Sequence, residues 1–277
     1  MLFRSAVEVW NEPNLQTFFT GSARDLVDIT KAVKQATSGT SVLTLSPSTT
    51  TRATPSLYRF YRQYLRGLRS AGWPVDGFTF HSYPRATGGP QERAAGMALF
   101  KGMLIALGAP TLPMLDTEVN YGLGGLSEAR RSITGADAQG YLAQTFVDAI
   151  RLGVTNVSWY LWTAGDYPLL GIQLNPSSAE TRAAWTWTFT TLVGASFTGC
   201  TEQGAALLCG FIRDGSRFLI ASSMTGAPTP VTLPEAWSTS CTRDGGCAPT
   251  GGSVLLGIRP VVLRPAQDPT ASTATPG

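Results

Sequence analysis

The sequence predicts a mixed α/β fold, in which a parallel sheet covered by helices is followed by a small antiparallel β-sandwich-like region. Three observations carry that expectation. Over the first two-thirds of the chain, short apolar runs rich in β-branched residues alternate five times with longer helical patterns, about 35 residues per unit. After Gly194 the helical periodicity stops, and short β-type runs separated by Gly, Pro, Asp and Ser replace it. The 277 residues are 43% hydrophobic and 14% charged, enough apolar surface for a sizeable core and too little charge for a disordered or coiled-coil chain.

Taken in order, Ala6–Trp10 (AVEVW) reads as a strand, and Ser22–Ala36 as a helix in which Ser22 and Asp25 stand in capping-box positions. Ser41–Leu45 is a strand. Pro55 opens a helix at its first position, running to about Ser70. Gly77–Ser82 is a strand, Gln91–Leu107 a helix and Pro113–Thr117 a strand. Asp137–Leu152 is a helix that Gly153 ends, and Asn156–Trp162 is a strand. Ser177 and Glu180 form a second capping pattern before a helix through Leu192. No Gly-x-Gly-x-x-Gly follows a strand, so the dinucleotide-binding version of such a sheet has no support. Beyond Gly194, Ala206–Ile212, Arg217–Ser222, Pro230–Leu233 and Ser253–Leu263 read as short strands, and Pro265–Gly277 as a disordered tail or linker. The expected organisation is therefore 1–194, 195–264 and 265–277.

Composition excludes several function classes. Twenty-one basic and 18 acidic residues leave a charge of +3, which gives no reason to expect a nucleic-acid partner. No apolar run reaches the roughly 18 residues of a membrane span. His81 is the single histidine, which rules out a multi-histidine metal site. Cys200, Cys209, Cys241 and Cys247 lack the paired spacing of a zinc ribbon. Two local disulfides in an exported protein is the preferred reading, with free buried thiols as the alternative. Met1–Asn14 has no signal-peptide apolar core, so either the protein is cytosolic or its natural N-terminus is missing.

In parallel β/α folds chemistry gathers at the C-terminal ends of the strands. Here those ends read Trp10-Asn11-Glu12-Pro13-Asn14, His81-Ser82-Tyr83-Pro84, Asp116-Thr117-Glu118-Val119-Asn120 and Trp159-Tyr160-Leu161-Trp162. Two facing carboxylates are what glycosidic bond cleavage needs, one protonating the leaving oxygen and the other attacking the anomeric carbon or activating water. Aromatic rings stack on the apolar faces of sugars, while Asn and His bond to hydroxyls. Asp116 competes with Glu118, because two residues apart on one strand they share a face. Trp159 and Trp162, three apart, face opposite sides of a regular strand, with Trp162 favoured at the rim.

Val7–Asn14 (VEVWNEPN) resembles the acid/base strand of the clan A glycoside hydrolases, retaining (β/α)8-barrel enzymes whose acid/base Glu follows an Asn at the end of strand four and whose nucleophile Glu ends strand seven. Glu118 stands 106 residues after Glu12 with two strands between them, and His81 and Tyr83 match that clan's His-x-Tyr at strand six. The resemblance implies a partial TIM (β/α)8 barrel comprising strands four to eight, with three β-α units, on the order of 100 residues, expected before Ala6. It implies Glu12 and Glu118 as catalytic residues and Asn11, His81, Tyr83, Asn120, Trp159 and Trp162 as substrate-binding residues. It implies a carbohydrate substrate, no metal or organic cofactor, and a secreted or cell-envelope parent with a xylosidase- or iduronidase-like branch as one candidate. A non-catalytic carbohydrate-binding remnant, or an inactive fragment, is the alternative. Oligomeric state is not legible in the sequence.

Overall fold

The computed structural model describes residues 5–52, 55–125, 128–163, 169–175, 178–234 and 236–265. Contacts divide the chain into two units, 1–133 with 148–177 and 134–147 with 178–277. The proposed tail beyond Pro265 and the cap residue Ser177 lie outside the described residues.

The first unit holds β1 (Ala6–Glu8), α1 (Ala23–Ala36), β2 (Leu43–Leu45), α2 (Pro55–Ser70), β3 (Phe78–His81), α3 (Pro90–Ala106), β4 (Met114–Val119) and β5 (Val154–Trp159), with the C-terminal end of α4 (Gly135–Leu152) leading into β5. Every strand pairing here is parallel. β1 pairs with β2, and β4 lies between β3 and β5. Bridges from Leu45 to Gly77 and from Thr50 to His81 join the β2 segment to β3, so spatial order follows chain order. That arrangement results when each strand is followed by a crossover helix.

Local chemistry sets the helix ends. Ser22 caps α1 reciprocally: its hydroxyl accepts from Asp25 N–H at 3.2 Å, and Asp25 accepts from Ser22 N–H at 2.8 Å. Pro90 begins α3, and Gly153, at φ 76°, ends α4 in a conformation that side chains disfavour. On α2, Tyr61, Tyr64, Leu65 and Leu68 fall at one-face helical spacing and are buried. They pack with Leu26 and Val27 of α1, Phe78 and Phe80 of β3, Phe100 and Leu104 of α3 and Met114 of β4. Each large side chain so buried contributes about 1.5–3 kcal/mol. Gly67 lets α1 and α2 approach closely, since a Cβ there would stand 2.6 Å from Val27 Cγ2.

The second unit adds α5 (Ala179–Leu192), the N-terminal part of α4, and β6 (Ser196–Gln203), β7 (Ala206–Arg213), β8 (Ser216–Ser223), β9 (Thr229–Thr232), β10 (Thr239–Cys241), β11 (Cys247–Pro249), β12 (Ser253–Leu256) and β13 (Val261–Arg264). A six-stranded sheet in the order β11-β10-β13-β8-β7-β6 and a pair β12-β9, all antiparallel, share a core of Leu208, Ala221, Val231, Leu233, Leu256 and Leu263. Asp214 and Gly215, both at positive φ, make the two-residue turn between β7 and β8. Sequence patterning misses β6, β10 and β11. β6 is exposed along nearly its whole length, so it carries no apolar alternation, and its pairing with β7 recruits it. The single run expected over Ser253–Leu263 splits into β12 and β13. The strand expected over Asn156–Trp162 is Val154–Trp159, and the second helix cap is Ser178, whose hydroxyl accepts from Thr181 N–H. No helix among the described residues is long and apolar enough to cross a membrane.

Both cysteine pairs are disulfides, Cys200–Cys209 and Cys241–Cys247, each joining residues directly opposite one another on neighbouring strands. Because the closed loops are short, the gain from each is modest. Replacing Cys200 and Cys209 together by Ser is expected to cost about 2–3 kcal/mol, read as a lower urea midpoint for the second unit. An unchanged midpoint would show that the β6–β7 pairing holds without the crosslink.

Candidate active site

The residues that end the parallel strands converge in the first unit. Glu12 lies just past β1, where the chain turns and Leu15 N–H bonds back to its carbonyl. Its φ of 41° is left-handed, a conformation costing a non-glycine residue about 1–2 kcal/mol. His81 ends β3, held by two backbone bonds to the segment after β2: its N–H donates to the Thr49 carbonyl and its carbonyl accepts from Thr51 N–H. The buried His81 ring then lies between the two glutamates. Its Nδ1 is hydrogen-bonded to Glu12 Oε1 at 2.8 Å and stands 3.6 Å from Glu118 Oε2. These two oxygens are therefore at most about 6.4 Å apart, the sum of the two distances. Tyr83 O–H donates to the same Glu118 oxygen at 2.9 Å.

Burial opposes charge on His81, but the Glu12 hydrogen bond and the Glu118 charge outweigh it and raise its pKa. Burial likewise pushes the Glu118 carboxyl up, with His81 and Tyr83 opposing and the Glu12 and Glu8 charges adding. Tyr83 is held far above the usual phenol value, first by burial and then by the Glu118 charge, so its proton stays on and its role is to donate. Three further residues belong to this neighbourhood and were not picked out in the sequence. Glu8, half-buried in β1, acts electrostatically on both His81 and Glu118. Arg52, half-buried beyond β2, interacts with Glu12 and Tyr83 and donates to the Leu123 carbonyl at 2.7 Å. Tyr160 acts on Tyr83. Period-two alternation from Glu12 back to Glu8 was the available signal for Glu8; Arg52 and Tyr160 become neighbours only in three dimensions.

Other residues named from the sequence take different places. Asn11 is exposed beside Glu12. Asn120 is buried with its amide fully engaged: Nδ2 donates to the Tyr160 and Ile172 carbonyls, and Oδ1 accepts from Tyr121 and Ile172 N–H. That leaves it no polar atom for a sugar, so it fastens β4 to the chain after β5. Trp159 is half-buried, its ring 6.3 Å from that of Tyr121, while Trp162 is 46% exposed. The alternation expected to put them on opposite sides does not apply, because β5 stops at Trp159. Asp116 does not share a face with Glu118. It is fully buried on the helix side, 2.7 Å from Arg93 Nη2. Among the described residues no group of three His, Cys, Asp or Glu could hold a metal ion.

No protein-family model matches the sequence, and no curated protein matches it. Solved structures do. A family 39 glycoside hydrolase of the gut symbiont Bacteroides cellulosilyticus aligns with a TM-score of 0.61 at 18% identity, covering 93% of this chain and 57% of that one. A family 39 β-xylosidase of Caulobacter crescentus gives 0.54 at 20%, covering 84% and 51%. A family 30 endoxylanase of Clostridium papyrosolvens gives 0.54 at 13%, covering 94% and 65%. The fold is that of the clan A glycoside hydrolases. This chain spans between about half and two-thirds of the length of these three clan A proteins.

The single histidine makes the electrostatics directly measurable. Its imidazole NMR signals are expected to titrate above the ordinary value of about 6.5. In Glu12→Gln the hydrogen-bonded charge is gone and burial gains weight, so the midpoint should fall. An unmoved midpoint would mean that Glu12 does not hold the ring.

Proposed function

We propose that this chain carries the catalytic pair of a retaining glycoside hydrolase acting on a poly- or oligosaccharide. The observation behind the proposal is the pair of glutamate oxygens flanking His81 within about 6.4 Å of each other. That proximity puts both carboxyls within reach of one glycosidic bond, and the retaining course follows from the resemblance of Val7–Asn14 and Glu118 to the clan A strands. Glu118, ionised, attacks the anomeric carbon as Glu12 gives its proton to the departing oxygen. Glu12 then takes a proton from water, which displaces Glu118 and releases the sugar. The Tyr83 O–H donor and the nearby His81 charge favour the ionised form of Glu118 that burial disfavours. Asn11 is proposed to hold a sugar hydroxyl and Trp162 to stack on a ring. The same proposal makes 1–194 the catalytic segment and 195–264 a separate β domain. It places the protein outside the reducing cytosol, where two disulfides persist.

Hydrolysis of an aryl-glycoside panel tests this. Glu118→Gln should lower kcat by at least about 10³-fold, and Glu12→Gln by about 10²–10⁴-fold on poor leaving groups. Glu12→Gln should cost far less with dinitrophenyl leaving groups, which depart without a proton. NMR of the first-formed product should show the starting anomeric configuration. Turnover unaffected by Glu118→Gln would refute the assignment. The second reading is a carbohydrate-binding remnant, which binding without turnover in both wild type and Glu118→Gln would establish.

The acid limb of kcat/KM reports the ionisation of Glu118. Burial raises that pKa, so the limb should lie above the ordinary carboxylate range near about 4.3. Tyr83→Phe deletes a donor to the charged form, and the limb should move to still higher pH. A limb that stays in place would remove Tyr83 from the role assigned to it.

A further inference from the structure

Residues 114 and 116 of β4 face the helices: Met114 joins the core with Phe100 and Leu104 of α3, and Asp116 meets Arg93 of the same helix. By alternation Glu118 should face the helices as well, yet it faces His81 and Tyr83. The ladders show why. Phe80 lies opposite Asp116 but His81 lies opposite Glu118, and across the other edge Asp116 is opposite Val157 while Val119 is opposite Trp159. Relative to both neighbours β4 carries one extra residue immediately after Asp116, a bulge that turns Glu118 to the other face.

A bulge leaves backbone groups to be paired, and three fully buried side chains surround this one. The main-chain N–H of Ser82 is shared between Asp116 Oδ1 and the Glu118 carbonyl, 3.1 Å from each. Ser82 Oγ donates to Asp116 Oδ2 and accepts from Arg93 Nε at 2.7 Å, and Arg93 Nη2 donates to Asp116 Oδ2 at 2.7 Å. A buried ion pair is a poor source of stability, because apolar residues of similar volume often serve as well or better. What this one supplies is direction.

We infer that Arg93, Ser82 and Asp116 are positioning residues whose buried network holds the β4 bulge and thereby aims Glu118 at His81 and Tyr83. The catalytic meaning of that aim rests on the hydrolase reading above; the aim itself does not.

The test is the double variant Arg93→Met with Asp116→Leu, which leaves the net charge unchanged and replaces the buried ion pair with apolar side chains. The titration of His81 is the readout, since its proton affinity is set by Glu12, Glu118 and Glu8, with burial opposing. In a double variant that melts cooperatively, loss of the aim should lower the His81 midpoint by at least about 0.5 pH unit, a threefold change in proton affinity. On an activated aryl glycoside it should lower kcat at least about tenfold with KM little changed. A folded double variant with the wild-type His81 midpoint overturns the inference. Where the double variant does not fold, Ser82→Ala decides on the same readout, with a lower midpoint in support and an unmoved one against. A wild-type chain without turnover would sink the hydrolase reading, while the His81 midpoints would still judge the positioning.

Discussion

The stereochemistry of an extended strand, with side chains on alternate faces, is the constraint on which this molecule is arranged. In β3 the rule holds without exception: Phe78 and Phe80 pack among the helices, Ser82 beyond them meets Arg93, and His81 and Tyr83 look the other way toward the glutamates. In β4 the rule is broken once, after Asp116, and the break separates two carboxylates that would otherwise compete for one face. One becomes half of a buried ion pair and the other a partner of His81 and Tyr83.

Around that break, hydrogen bonding and burial pull in opposite directions, and their balance sets the chemistry available. Burial alone would neutralise Glu118 and deprotonate His81. Mutual charge and the Tyr83 hydroxyl work against it; burial still prevails at Glu118 and the carboxylates prevail at His81, so both groups have raised affinity for protons. Glu12 stands at positive φ in its turn and bonds the His81 ring, whose main chain is fixed to Thr49 and Thr51. Arg52 and Glu8 extend the field beyond first contacts, so the site is an electrostatic unit of at least six groups rather than a pair.

The second unit is built on a different principle. Its three longest strands form a consecutive antiparallel meander, and its edge strand β6 is almost wholly exposed. Crosslinks between directly opposed residues and a tight Asp214-Gly215 turn supply locally what extensive burial supplies in the first unit.

Local sequence determined what local physics controls: the five β-α repeats, the Ser22 capping box, the Gly153 stop, the pairing of nearby cysteines, and the rim position of residues that end strands. It could not show that Asp116 and Glu118 part company, because a bulge is decided by how many residues the neighbouring strands present. Nor could it show that Asn120 spends its amide on Tyr160 and Ile172 as well as on its neighbour Tyr121, or that Arg52 and Tyr160 act on Tyr83, since Tyr160, Ile172 and Arg52 lie far along the chain from the residues they meet. Only the tertiary structure could decide these, because hydrogen-bond saturation and electrostatic proximity belong to the packed strands together and to no single segment.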